Sequence, residues 1–316
     1  MRAAMAPVAR RTLGIRLSAA VGLALTCSAA GMGPARAETT TATTTAAGAT
    51  VAAPLRATPV SATVQVHYAA PSRTADGVID AARTLDAIKA RGSRVYFYLL
   101  YPHAGYDSTR DWQSLLAFLV AARARGISVH VTLTPPSSTS SWFAPCSANL
   151  LRPFGGRYDT WMVELGRLAR HHANLSAVVM DDYAYSATNR PRASCRSFAP
   201  GTLTRWNSIL TRFAGRRLRV LPVLYLHDLT GVRGIYPSIK KEAPEVVWPF
   251  TAIGSHEMKT QYRAILKAAP TIRAHVMVYA APYKGRIPTA ATIREEMGMA
   301  RRLGAAGVVI YQQPLH

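Results

Sequence analysis

From about residue 61 to the end of the chain, the apolar positions fall into a repeated two-part rhythm. Short runs rich in β-branched and aromatic residues span 64–68, 94–101, 127–133, 175–180, 218–226, 246–251, 274–279 and 307–312, and each reads as a strand. Between them, apolar residues recur at helical spacing over 77–90, 111–125, 158–173, 200–215, 255–269 and 289–303, with a poorer segment near 236–241. Gly92, Gly126 and Gly304 stand just past three of these helices, and Asp111 and Ser255 are placed to cap two helix starts. Alternation of strand and helix builds a parallel sheet. Eight strands in a stretch of this length predict an α/β fold of the closed (β/α)8 type, because a doubly wound open sheet usually has fewer strands. Little chain follows strand eight, so the eighth helix is expected to be missing and its place covered by other residues, such as those before strand one.

Side chains alternate along a strand, which lets polar positions be assigned to a face. In strand three, Ile127, Val129, Val131 and Leu133 form one apolar face, so Ser128, His130, Thr132 and Thr134 are expected to face the lumen. The same rule turns Gln65 and His67 of strand one, Tyr225 and His227 of strand five, and His275 and Tyr279 of strand seven inward. For strand four it selects Ser176, Val178, Met180 and Asp182, leaving Asp181 on the other face at the mouth. Such a lumen is more polar than one filled by branched aliphatics, and it points to a polar ligand.

The first 60 residues break the rhythm. Arg10 and Arg11 precede an apolar run over 17–30, which is followed by Pro34-Ala35-Arg36-Ala37. This is the layout of a secretory signal, 1–37, cut near Ala37, and it predicts a secreted protein, extracellular or cell-wall associated. Residues 38–60 are rich in Thr and Ala without aromatics and read as a flexible linker, which leaves 61–316 as a single barrel domain. Export changes the meaning of the cysteines. Cys27 leaves with the signal, and Cys146 and Cys195 remain as an even pair in an oxidising compartment, predicting a disulfide between loops three and four.

At 49% hydrophobic and 17% charged residues, the chain can bury a sizeable core and is neither disordered nor fibrous. Its formal net charge of +22 stays strongly positive even without the arginines of the signal. Such a surface favours non-specific association with the cell wall or another anionic surface, weakened by salt. Zinc-finger spacing and compact Lys/Arg runs are absent from the sequence, so no specific nucleic-acid partner is expected. The barrel is expected to act as a monomer.

The chemistry concentrates in acids at strand ends, where barrels of this kind carry their catalytic groups. Of the 16 acids, Asp181, Asp182, Asp228 and Glu257 fall there. Two adjacent carboxylates ending an apolar run cost solvation and mutual repulsion, a cost usually retained for a function. The stretch VVMDDYAY, with Trp142 on loop three, Asp228 ending strand five and His256-Glu257 after strand six, resembles the TIM-barrel glycoside hydrolases. It also resembles a set of secreted bacterial barrel proteins with a hydrophobic-Asp-Asp-aromatic strand four. The better-known glycosidase signatures, an Asn-Glu pair ending strand four or Asp-x-x-Asp-x-Asp-x-Glu, are missing.

The resemblance implies a glycosidase acting on a polysaccharide or oligosaccharide, a carbohydrate that the basic surface allows to be anionic, through a carboxyl pair at the C-terminal mouth and with no cofactor and no metal. Asp182 is the expected ionised group, and Glu257 or Asp228 the acid. Both acids also have a purely structural reading: Glu257 in a first helical turn stabilises a helix N-terminus, and Asp228 can equally cap a loop. Asp181, His67, His130, Trp142, Tyr183, Tyr225, His227, Trp248, His275, Tyr279 and Tyr311 are the candidate substrate-binding residues. Two alternatives remain open: a non-catalytic carbohydrate-binding pseudoenzyme on the same barrel, and a metal-dependent hydrolase, whose usual His-x-His on strand one is absent.

Overall fold

The computed structural model describes residues 64–100, 108–135, 151–187, 198–231, 234–252, 254–283 and 287–312. The expected signal, the linker, Trp142, Cys146 and Cys195 lie outside the described residues.

Eight strands form: β1 Val64–Tyr68, β2 Val95–Leu100, β3 Ser128–Leu133, β4 Leu175–Met180, β5 Val220–Pro222, β6 Glu245–Phe250, β7 Arg273–Tyr279 and β8 Gly307–Tyr311. They pair in parallel in the order β5-β4-β3-β2-β1-β8-β7-β6. The two ends of that order meet through a single parallel bridge, Val223 to Val247, with Leu224 N–H donating to the Val247 carbonyl at 2.9 Å. The sheet is therefore a barrel, sewn most thinly between β5 and β6. Around it run α1 Ala81–Ala90, α2 Ser108–Ala124, α3 Tyr158–His171, α4 Thr202–Ala214, α5 Leu226–Thr230, α6 Tyr236–Ile239, α7 Ser255–Ala268 and α8 Ala290–Arg302. Among the described residues no helix follows β8, and none is long and apolar enough to cross a membrane.

Local chemistry explains most boundaries. Asp80 accepts from Arg83 N–H to start α1, and Thr289 accepts from Thr292 N–H to start α8. Gly92, Gly126 and Gly304 take φ of 71°, 69° and 76° just past their helices, a region that costs other residues strain. Two expected caps differ. Asp111 lies inside the first turn of α2, fully buried in a bidentate pair with Arg73 at 2.8 Å, and the residue before α7 is Gly254, not Ser255. The expected fifth strand over 218–226 also differs, because the chain turns helical at Leu226, where the Asp228 carboxylate accepts from Tyr225 N–H at 3.1 Å and nucleates α5.

The core divides into two shells. The outer one packs Tyr96, Val131, Met180, Trp248, Val276 and Ile310 under the helices. The inner one, which fills the lumen, holds Val66, Tyr68, Phe97, Ala177, Val179, Leu221, Val223, Val247, Met277, Tyr279 and Val309. This corrects the expected facing of two strands. On β1 the lumen receives Val66 and Tyr68, while Gln65 bonds the Arg91 carbonyl and His67 lies in register with outward-facing Tyr96 and Ile310. On β4 it receives Ala177 and Val179, not Ser176, Val178 and Met180. Parallel strands are apolar on both faces, so an isolated polar residue there does not mark the lumen.

Candidate active site

The β4 phase carries directly into the mouth. Asp181 N–H donates to the Leu133 carbonyl at 2.9 Å, continuing the ladder for one residue, so Asp181 follows Ala177 and Val179 on the lumen side. Asp182 then breaks from the strand. Its φ of 44° and ψ of 35° are left-handed, a conformation that Asp tolerates better than most residues but that still costs about 1 kcal/mol. Tyr183–Ser186 follow as a 3-10 turn. Sequence reasoning put Asp182 in the lumen and Asp181 outside; the structure places Asp181 in lumen phase and Asp182 on the turn above it.

Each carboxylate is held by a tyrosine. Tyr68 of β1 donates its hydroxyl to Asp181 Oδ2 at 2.9 Å, and Tyr225 beside β5 donates to Asp182 Oδ1 at 2.8 Å. The Asp182 N–H also donates to Asp181 Oδ1 at 3.0 Å. Burial, and after it the charge of Asp182, push the Asp181 carboxyl up to about 7 from an ordinary 3.8, while Tyr68 and the Asp182 N–H pull the other way. The same surroundings raise the Tyr68, Tyr225 and Tyr279 hydroxyls well above their ordinary range, by burial first and by nearby charge second, so they remain donors at any working pH.

Facing this pair is an aromatic wall. Tyr68 and Tyr311 have ring centroids 4.9 Å apart, as do Tyr311 and Tyr279, and Tyr279 packs tilted against Tyr283 at 4.5 Å. Tyr225 stacks on His227, which is largely exposed, and meets Tyr185 edge-on. Beside Asp181, β3 continues into Thr134; the Thr132 and Thr134 hydroxyls are buried and have no hydrogen-bond partner among the described residues. Unpartnered buried hydroxyls beside a carboxyl are groups a polar ligand would satisfy.

The other candidates fall elsewhere. Tyr183 stacks on Phe198, and Trp248 packs fully buried against Phe250 and Tyr262 in the outer shell with His67, so none of these three side chains faces the lumen. His275 does point inward, but toward the opposite end of the barrel, where its Nε2 meets Glu245 Oε1 at 2.7 Å and Arg219 pairs with the other oxygen. Burial alone would raise Glu245, but the His275 hydrogen bond and charge, with Arg219 and Arg273, hold it down to about 2. His130 is stacked on Phe97 and held down to about 3, first by burial and then by His275, so it is a neutral core residue. Asp228 is 1% exposed and caps α5; Glu257, in the first turn of α7, accepts from Gln261 at 2.8 Å. Sequence reasoning missed Tyr68, which its phase error on β1 turned away from the lumen. Among the described residues, no group of three or more His, Cys, Asp or Glu is arranged to hold a metal.

No protein-family model matches the sequence, and no curated protein matches it. Solved structures do. The barrel is similar to the exo-β-1,4-mannosidase Op5Man5 from Opitutaceae bacterium strain TAV5, at 13% identity and a TM-score of 0.50, over 79% of this chain and 52% of that one. It is similar also to an endo-β-1,4-mannanase double mutant from Cellulomonas fimi, at 11% identity and 0.51, over 79% and 65%. At these identities the likeness establishes the (β/α)8 fold alone, and this chain spans about half to two thirds of the length of those proteins.

Proposed function

We propose that the protein is a secreted glycoside hydrolase whose acid and ionised carboxylate are Asp181 and Asp182. The observation that carries this reading is the adjacent pair at the barrel mouth, each member gripped by a different tyrosine, one of them favouring its proton near neutrality. Hydrolysis of a glycosidic bond needs one carboxyl that delivers a proton to the leaving oxygen and one carboxylate that steadies the positive charge growing at the anomeric carbon. Asp181 fits the first role, since a raised pKa keeps the proton available at working pH. Asp182 fits the second, its charge oriented by the Tyr225 hydroxyl. Asp181 takes the role that sequence reasoning gave to Glu257 or Asp228, whose carboxylates are engaged locally, Glu257 by the Gln261 side-chain amide and Asp228 by the Tyr225 N–H at the start of α5. The wall of Tyr68, Tyr311, Tyr279 and Tyr283 offers rings for a sugar to stack on.

The test is reducing-sugar release from a panel of neutral and acidic glycans by the wild-type protein, Asp182→Asn and a chelator-treated sample. Release that falls about a thousandfold in Asp182→Asn and survives chelation supports the reading. Activity should also decline as pH rises through about 7, where Asp181 loses its proton. Absence of release from every glycan, with binding retained in both proteins, would instead leave a carbohydrate-binding barrel.

A further inference from the structure

The two acids are consecutive residues on the end of one strand, and the Asp182 N–H bridges to Asp181 Oδ1 at 3.0 Å. They therefore address a substrate from the same wall. Ordinary glycosidases use carboxyls on either side of the scissile bond, about 5–5.5 Å apart for retention and about 6.5–9.5 Å for inversion. In an eight-stranded ring, β8 lies opposite β4, with β7 beside it. The mouth ends of those strands present Tyr311 and Tyr279, backed by Tyr283, and the described residues that end them, Gln312 and Ala280, are not acids. The described wall facing the pair thus offers rings where a protein nucleophile would have to stand.

A substrate that carries its own nucleophile removes this need. Building on the glycosidase reading above, we infer that the substrate is a 2-acetamido-2-deoxy glycoside and that its acetamido oxygen is the attacking group. That class of chemistry asks for two carboxyls on one side, one for the leaving oxygen and one for the acetamido N–H. In the first step the acetamido oxygen bonds to the anomeric carbon as the bond to the leaving oxygen breaks. Asp181 supplies the proton that the leaving oxygen takes, and Asp182 accepts the acetamido N–H, offsetting the positive charge of the cyclised ring. In the second, Asp181, now ionised, takes a proton from water as its oxygen bonds to the anomeric carbon, and the ring opens to restore the acetamido group. The sum is hydrolysis with retention, and Asp181 ends with its proton. The acetamido methyl is apolar and suits the Tyr279–Tyr311 rings, while the unpartnered Thr132 and Thr134 hydroxyls suit sugar hydroxyls.

The test uses the wild-type protein with matched 4-nitrophenyl β-glycosides of a mono- and a trisaccharide. One set carries 2-acetamido, one 2-trifluoroacetamido and one 2-hydroxyl groups, and the thiazoline analogue of the cyclised 2-acetamido sugar serves as inhibitor. The expected result is turnover of the 2-acetamido set at least about a hundredfold faster than the 2-hydroxyl set, because an intramolecular nucleophile is lost in the latter. The fluorinated set should fall between them, with competitive inhibition by the thiazoline. Equal or faster turnover of the 2-hydroxyl set, or a covalent sugar adduct on a carboxylate after treatment with a 2-fluoro glycoside, would overturn the inference and leave the glycosidase reading standing. Failure to turn over any of these glycosides or any glycan of the panel would overturn both.

Discussion

If Asp181 keeps its proton because it is enclosed, its ionisation must cost the folded state, and that cost is measurable without any substrate. The folded carboxyl sits at about 7, against an ordinary 3.8 for an exposed one. A group whose folded pKa is raised contributes stability that is full below the unfolded value and lost as pH climbs through the folded value, here from about 4 to about 7. Each pKa unit is worth about 1.4 kcal/mol, so the ceiling is about 4 kcal/mol. Asp181 retains some solvent contact and shares its charge with Asp182, so about 2 kcal/mol is the working figure. Asp181→Asn removes the titration. The amide accepts only one of the two hydrogen bonds now reaching the carboxylate, from the Tyr68 hydroxyl and the Asp182 N–H, a pH-independent loss of about 1 kcal/mol. The variant should therefore melt slightly below the wild type at pH 4. It should then gain on the wild type steadily to pH 7 and melt above it at pH 8–9, the difference between the two proteins shifting by about 4 °C across the range. The assay is thermal unfolding by circular dichroism of both proteins at half-unit steps from pH 4 to 9. Parallel curves across the whole range would refute the reasoning, since they would mean that the Asp181 carboxyl titrates in the folded protein as it does in the unfolded chain.

Two further outcomes follow from single contacts. Tyr68→Phe removes a hydrogen bond that stabilises the ionised form of Asp181, so the alkaline limb of the pH–activity profile should move to higher pH, and a limb that stays put or moves down would contradict the pairing. Asp111→Ala removes both carboxylate hydrogen bonds from Arg73, which keeps its bond to the Gly77 carbonyl and some solvent contact, and should cost about 2–3 kcal/mol in urea denaturation; a loss under about 1 kcal/mol would mean that water replaces the carboxylate at no penalty.

The barrel was legible because its information is periodic. The runs at 64–68 and 175–180 coincide with β1 and β4 to the residue, and three glycines past helix ends lie at the left-handed positions their spacing implied. Facing was not legible on β1 and β4. Both strands are apolar on either side, so the rule that polar residues mark the lumen promoted His67 and Ser176, whereas the lumen takes Val66, Tyr68, Ala177 and Val179. β5 failed for a different reason, because an acid three residues past Tyr225 caps a helix and cuts the apolar run short, a local contact that outweighs strand propensity.

The same contrast explains the acidic pair. An acid at a strand end can be recognised from sequence, but its role depends on partners brought from distant strands. Tyr68 lies 113 residues before Asp181 and Tyr225 lies 43 residues after Asp182, and no local pattern links either to its carboxylate. Without the tyrosines, two adjacent carboxylates would simply repel one another. With them, the two carboxyls are held in different surroundings, Asp181 mostly buried in lumen phase and Asp182 on a left-handed turn above it. Two carboxyls in unequal environments can divide acid and anion between them. An equivalent pair on an exposed helix would both remain ionised near neutrality, so it is the barrel mouth, more than the Asp-Asp dipeptide, that makes the chemistry available.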